Sequence, residues 1–132
     1  MKIRITVLMV IFSFMSLGLS CQNKTAFRSV DVKEFKEVIK DTSVIVVDVR
    51  TAEEFREGHI VGTDFNIDIL QNDFSSKAAE LLPKGSSLAI YCRSGNRSKT
   101  AADKLSEAGY KVVELAAGYR GWTTAGEETV KP

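Results

Sequence analysis

The chain has 132 residues, of which 44% are hydrophobic and 27% charged, with 18 basic and 17 acidic side chains and a single histidine. This is the length of one domain and the composition of an ordinary globular protein. The nearly even charge balance offers no strongly basic face for nucleic acid, and two cysteines without a Cys-x-x-Cys pair or a His/Cys cluster argue against a structural zinc site.

The N-terminus reads as a separate object. Lys2 and Arg4 precede an apolar run from Ile5 to Leu19, broken only by Thr6, Ser13, Ser16 and Gly18. A basic start, a short apolar stretch and small residues at Gly18 and Ser20 describe an export signal. The run is shorter than the roughly 20 residues a helix needs to cross a bilayer. Leu17-Gly18-Leu19-Ser20-Cys21 resembles the lipobox of bacterial lipoproteins, although Gly18 stands where that motif favours leucine. The resemblance implies that Cys21 is lipidated and that the mature protein sits in the cell envelope or periplasm, held to a membrane by acyl chains. The alternative is a soluble exported protein with an incidental cysteine. Residues 1–21 are thus expected to be a signal peptide, 22–26 a tether, 27–127 the folded domain and 128–132 a tail. Loss of Lys2 and Arg4 with the signal leaves a formal charge of −1.

Asp31 and Glu34 form a capping pair ahead of Phe35, Val38 and Ile39, which recur at helical spacing. Val44 to Val49 is a continuous β-branched run around Asp48 and reads as a central strand covered on both faces. Thr51 and Glu54 cap a short helix, Gly58 to Gly62 is a loop, and Phe65 to Ile69 is ambiguous, with a short strand as one reading. Ser75 to Leu82 is expected to be helical and to stop at Pro83-Lys84-Gly85. Ser87 to Tyr91 is a second buried strand. Ser98 to Ala108 is a helix with Ala101, Ala102 and Leu105 inward and Gly109 after its end. Lys111 to Leu115 is a third strand, and Ala117 to Trp122 turns into a last short helix. Alternating strands and helices give an α/β class with a largely parallel sheet.

Cys92 follows the second strand directly. Ligands of open α/β sheets bind beyond the carboxyl ends of strands, and Cys92 stands there. Cys92-Arg93-Ser94-Gly95-Asn96-Arg97-Ser98 joins the strand to the next helix. A helix N-terminus carries unpaired N–H groups and partial positive charge, and a tight loop before it turns further amides inward. Such a nest favours thiolate over thiol. Gly95 suits a loop that wraps one sulfur, Ser94 and Ser98 supply hydroxyl donors, and Arg93 and Arg97 add positive charge. With Cys21 lipidated, Cys92 is the lone free thiol of an exported chain, which marks it as reactive. A purely structural cysteine, buried as a small hydrophobe, fits these polar neighbours poorly.

On these residues the chain resembles the rhodanese homology domain over about residues 27–127. Cys92 to Ser98 matches the family's active-site loop without substitution. Asp48-Val49-Arg50, Glu54-Phe55 and Gly58-His59-Ile60 match an upstream motif, and Gly118-Tyr119-Arg120-Gly121-Trp122 a closing one. Departures are Val61-Gly62-Thr63 in place of Pro-Gly-Ala, Asp68 in place of a proline, and Ala117 in place of a glycine. The resemblance implies a five-stranded, mostly parallel sheet with helices on both faces. It also implies ping-pong sulfur transfer: Cys92 takes the outer sulfur of thiosulfate, a persulfide or a polysulfide, and passes it to a thiol, cyanide or a protein acceptor, with no metal or organic cofactor. By resemblance Asp48 and Arg50 brace the pocket through ion pairs, with Glu54 or Glu57 as candidate partners of Arg50. Arg93 is expected at the mouth and Arg97 as an organiser of the loop or an attractant for the donor. His59 reads better as a loop-packing residue than as a general base, since an ionised thiolate needs none.

Two other functions compete. Cysteine-dependent phosphatases and arsenate reductases resemble Cys-x5-Arg, whereas four residues separate Cys92 from Arg97. The shorter loop suits one sulfur better than a tetrahedral oxyanion. A sulfur carrier or reactive-sulfur sensor with little free turnover would use the same Cys92 chemistry.

Overall fold

The computed structural model describes residues 27–131. The expected signal segment, the tether and Cys21 lie outside the described residues. Five strands form one parallel sheet in the order β1-β6-β5-β2-β4. They are β1 (Phe27–Val30), β2 (Ile45–Asp48), β4 (Phe65–Asn66), β5 (Ser87–Tyr91) and β6 (Lys111–Leu115). Five helices surround the sheet: α1 (Val32–Val38), α2 (Ala52–Glu57), α3 (Phe74–Leu81), α4 (Asn96–Glu107) and α5 (Gly118–Thr124). A small antiparallel pair, β3 (His59–Ile60) with β7 (Thr129–Val130), stands apart.

Side-chain alternation along the strands produces two cores. On one face Val47, Leu88, Ile90 and Val112 pack against Phe74 and Ala78 of α3 and Ala101, Ala102 and Leu105 of α4. On the other, Val46, Ala89, Tyr91 and Leu115 pack against Phe35 of α1 and Trp122 of α5. Phe35 meets the Tyr91 and Trp122 rings edge-on, with centroids 6.4 and 6.1 Å away. Both faces are covered, which is why Ile45-Val46-Val47 of β2 and Leu88-Ala89-Ile90-Tyr91 of β5 are apolar without alternation.

Local signals set most of the elements. The Asp31 carboxylate accepts from the Glu34 amide at 2.8 Å and starts α1. Thr51 and Glu54 form a reciprocal capping box at α2. The differences fall where such signals are weak. α4 begins at Asn96, two residues earlier than expected, and α3 spans Phe74–Leu81. β1 was not expected as a strand from its own residues: it is a half-polar edge strand, recognisable only by its register on β6. The loop expected around His59 carries β3, and the expected tail supplies its partner β7, so ordered pairing continues beyond residue 127. A two-residue strand has no periodicity to read. At Asp68, where the resembled family has proline, the carboxylate accepts from the Leu70 amide at 2.9 Å and makes the turn instead.

Candidate active site

β5 is the middle strand, and Cys92 is the first residue past its carboxyl end. Its side chain continues the Leu88–Ile90 alternation and points to the α4 face, where it is 1% exposed. Two polar contacts reach the sulfur. The Gly95 amide donates to Sγ at 3.1 Å, and the thiol donates to Ser98 Oγ at 3.4 Å. The amides of Asn96, Arg97 and Ser98 lie in the first turn of α4, where they have no intrahelical acceptor. Among the described contacts Gly95 is the one backbone donor hydrogen-bonded to the sulfur.

The loop is so tight that its glycine is obligatory. Gly95 has φ = 97°, and a Cβ there would lie 2.2 Å from the Ala116 carbonyl oxygen. The loop is also pinned from α5. The Tyr119 amide donates to Cys92 O at 2.7 Å and the Arg120 amide to Arg93 O at 3.0 Å. This approach needs Gly118, at φ = 63°, whose Cβ would fall 2.4 Å from Arg93 O. Arg93, Ser94 and Asn96 are exposed on the outer side of the loop.

Arg97 reaches across to α2. Its guanidinium donates to both Glu54 oxygens at 2.7 and 2.8 Å. This fork, helped by donation from the Thr51 amide and hydroxyl, holds the Glu54 carboxyl down at about 2 against partial burial, well below its usual value.

The expectation that Arg50 pairs with Glu54 or Glu57 is corrected. Arg50 forks onto Asp48, with Nη2 to Oδ2 at 2.7 Å, and donates to the Gly58 carbonyl at 2.7 Å. Glu54 is already taken by Arg97. Asp48 is wholly buried and Arg50 nearly so, and the guanidinium lies 4.2 Å from the Tyr119 ring centroid and 5.6 Å from that of Tyr91. Asp48 shares the Val46 face of β2, opposite the Cys92 face, so the pair braces the α5 turn rather than the sulfur itself. His59 stacks on Phe55 at 3.9 Å, with Nδ1 3.1 Å from the Phe55 carbonyl.

One participant was missed. Glu114, the fourth of the five residues of β6, is 0% exposed. Its carboxylate accepts from Ser98 Oγ at 2.6 Å, from Lys99 Nζ at 3.1 Å and from Ser29 Oγ of β1. The available signal was a charged residue inside the third expected strand, Lys111-Val112-Val113-Glu114-Leu115, since a charge that a sheet buries requires partners. Among the described residues no cluster of three or more His, Cys, Asp or Glu is placed to hold a metal.

An open parallel sheet with a cysteine-centred loop at the carboxyl edge of its middle strand defines the class. The family follows from comparison: residues 31–125 match the rhodanese-like domain model, and the chain belongs to the rhodanese-like domain family. Thiosulfate sulfurtransferase 18 of Arabidopsis thaliana is 33% identical over 105 residues, 71% of this chain and 76% of that protein. YrkF of Bacillus subtilis, named as a candidate sulfur carrier protein, is 31% identical over 106 residues, 79% of this chain but 55% of that longer protein. The crystal structure of a rhodanese-related protein from Thermoplasma volcanium superposes with a TM-score of 0.69 at 30% identity, covering 80% of this chain and 99% of that one.

Proposed function

We propose that this protein is a sulfurtransferase that carries sulfane sulfur as a persulfide on Cys92. The observation that carries the reading is Cys92 Sγ at the end of the middle strand, bonded by the Gly95 amide where α4 begins. Backbone dipoles there stabilise an anion on sulfur before and after transfer. In the first half-reaction the Cys92 thiolate attacks the outer sulfur of thiosulfate. A Cys92 S–S bond forms, the donor S–S bond breaks, and its electron pair leaves with sulfite. Cys92–S–S⁻ remains, and a thiol, cyanide or a protein acceptor then attacks the outer sulfur and restores the thiolate. A persulfide or polysulfide donor reacts in the same way and releases a thiol or a shortened polysulfide. The sequence of steps draws on no metal or organic cofactor.

Intact-protein mass spectrometry after thiosulfate treatment tests this. Wild type gains one sulfur, and Cys92→Ser, with an unchanged fold, gains none; equal loading of the two proteins defeats the assignment. Export and acylation of Cys21 complete the proposal. Protein from the membrane fraction should carry acyl mass on Cys21, and a water-soluble protein with unmodified Cys21 removes the anchor.

A second reading, a carrier that loads once and delivers to a protein, is supported by the likeness to YrkF, which is named as a candidate sulfur carrier. Steady-state assay with thiosulfate and cyanide separates the two: turnover supports the enzyme, and a single loading supports the carrier. Phosphatase chemistry is disfavoured because Arg97, the residue that would clamp an oxyanion, is forked onto Glu54.

A further inference from the structure

We infer that Glu114 is a positioning residue that takes up the Cys92 proton through Ser98, so that the nucleophile ionises without losing a proton to solvent. The inference rests on the reading of Cys92 as the nucleophile. Its basis is a continuous chain of three groups. The Cys92 thiol donates to Ser98 Oγ at 3.4 Å, and Ser98 Oγ donates to Glu114 Oε2 at 2.6 Å. Ser98 Oγ is also 3.1 Å from the Gly95 carbonyl. A hydroxyl has one proton, and the shorter, charged acceptor takes it. That commitment leaves a Ser98 lone pair facing the thiol proton. All three groups are buried, with Cys92 at 1%, Ser98 at 0% and Glu114 at 0% exposure, so water has little access to the sulfur.

The register makes the arrangement. Glu114 lies between Ile90 of β5 and Ser29 of β1, on the Val112 side of β6, which α4 covers. Few other charged groups stand near it. Lys99 of α4 reaches Glu114 Oε1 at 3.1 Å and the Gly95 carbonyl at 3.2 Å with a side chain 50% exposed, which sets a cation beside the carboxylate. Arg97, also of α4, is held by Glu54. The charged groups of α1 are exposed and engaged elsewhere: Glu34 with Arg28, Lys36 with Glu127, Glu37 with Lys40; Lys33 is exposed. From β1 only the Ser29 hydroxyl touches the carboxylate among the described contacts.

The proton balance is simple. The thiol proton moves to Ser98 Oγ while the Ser98 proton moves to Glu114, giving a thiolate, an intact hydroxyl and a neutral carboxylic acid with the total charge unchanged. Ser98 now donates toward the sulfur. After attack on thiosulfate the proton passes to the released sulfite, and Glu114 is again a carboxylate.

This makes a kinetic prediction that an inert structural carboxylate does not share. The reactive form holds as many protons as the resting form, so its population does not depend on pH while the pair keeps one proton. Wild-type loading from thiosulfate should therefore be flat from about pH 6 to about pH 8. Glu114→Gln can hydrogen-bond to Ser98 but cannot take the proton. Its rate should rise about tenfold per pH unit and lie well below wild type at pH 6. Ser98→Ala, which removes the bridge and leaves Glu114 in place, should show the same slope. A second arm uses iodoacetamide on the full chain, with modification at Cys92 followed by peptide mapping, because this needs the thiolate but no sulfur chemistry. Parallel pH profiles for wild type and Glu114→Gln in that arm, or a faster variant, overturn the relay. Failure of wild type to load sulfur, with the alkylation profiles still divergent, overturns the transfer reading and leaves the relay standing.

Discussion

Cys92 is small, buried and flanked by residues that leave it little freedom, and its sulfur is touched by one backbone amide and one side-chain hydroxyl. The Gly95 amide reaches the sulfur only because residue 95 adopts a left-handed conformation against the Ala116 carbonyl. Gly95→Ala should therefore cost about 1–2 kcal/mol for the backbone conformation alone. Relief of the 2.2 Å approach to Ala116 O would add to that and pull the amide off the sulfur. The expected outcome is a lower melting temperature together with loss of sulfur loading. A variant that loads like wild type would show that the amide contact is dispensable. The residue types at this loop were legible in the sequence, since Cys92, Gly95 and Ser98 all touch one another. What was not legible was the identity of the groups behind them, because Glu114 is 16 positions from Ser98 in the chain and meets it only across the α4–β6 packing.

The elements around the loop act as clamps. α2 holds it through the Glu54–Arg97 fork, and α5 holds it through the Tyr119 and Arg120 amides. Glu54 links the α2 capping box to the loop, so its ionisation couples both to pH. Its carboxyl is held at about 2, below the ordinary 4.5, chiefly by the Arg97 hydrogen bonds. A depressed native value means that the contribution to stability is complete above about pH 4.5 and is lost as pH falls through about 2. Glu54→Gln should be less stable than wild type at neutral pH, and the difference should shrink over that acid interval. Urea unfolding at several pH values measures it, and a constant difference down to pH 2 would contradict the coupling. The helix starts at Asp31 and Thr51 were readable because a cap is a local device. The Arg97 partner was not, because a long flexible cation has several acidic residues within reach in sequence and one in space.

Across the whole molecule, the sheet separates the site into two halves. Cys92, Ser98 and Glu114 lie with the α3–α4 core, while Asp48, Arg50 and Tyr119 lie with the α1–α5 side. The Asp48–Arg50 pair thus supports the loop at a distance, by fixing the Tyr119 ring whose backbone amide holds the Cys92 carbonyl. Asp48→Ala leaves a guanidinium buried with one carbonyl and two aromatic faces for company. It should cost about 3–5 kcal/mol in urea unfolding. The double replacement Asp48→Leu with Arg50→Met should cost clearly less, because both charges leave together. If the double variant is as unstable as the single one, the loss comes from packing and not from an unpaired charge.

The sequence alone determined the α/β class, the two buried strands β2 and β5, the capped helices and the cysteine loop, because each is written in contiguous residues: short apolar runs, Asp/Thr caps, and Gly95 three positions after Cys92. Tertiary structure alone decided which side chains share a space. It paired Arg50 with Asp48 and Arg97 with Glu54, recruited β1 to the edge of the sheet and β7 to β3, and set Glu114 behind Ser98. Those choices follow from strand register and from which face of the sheet each helix covers, and both depend on residues far apart in the chain.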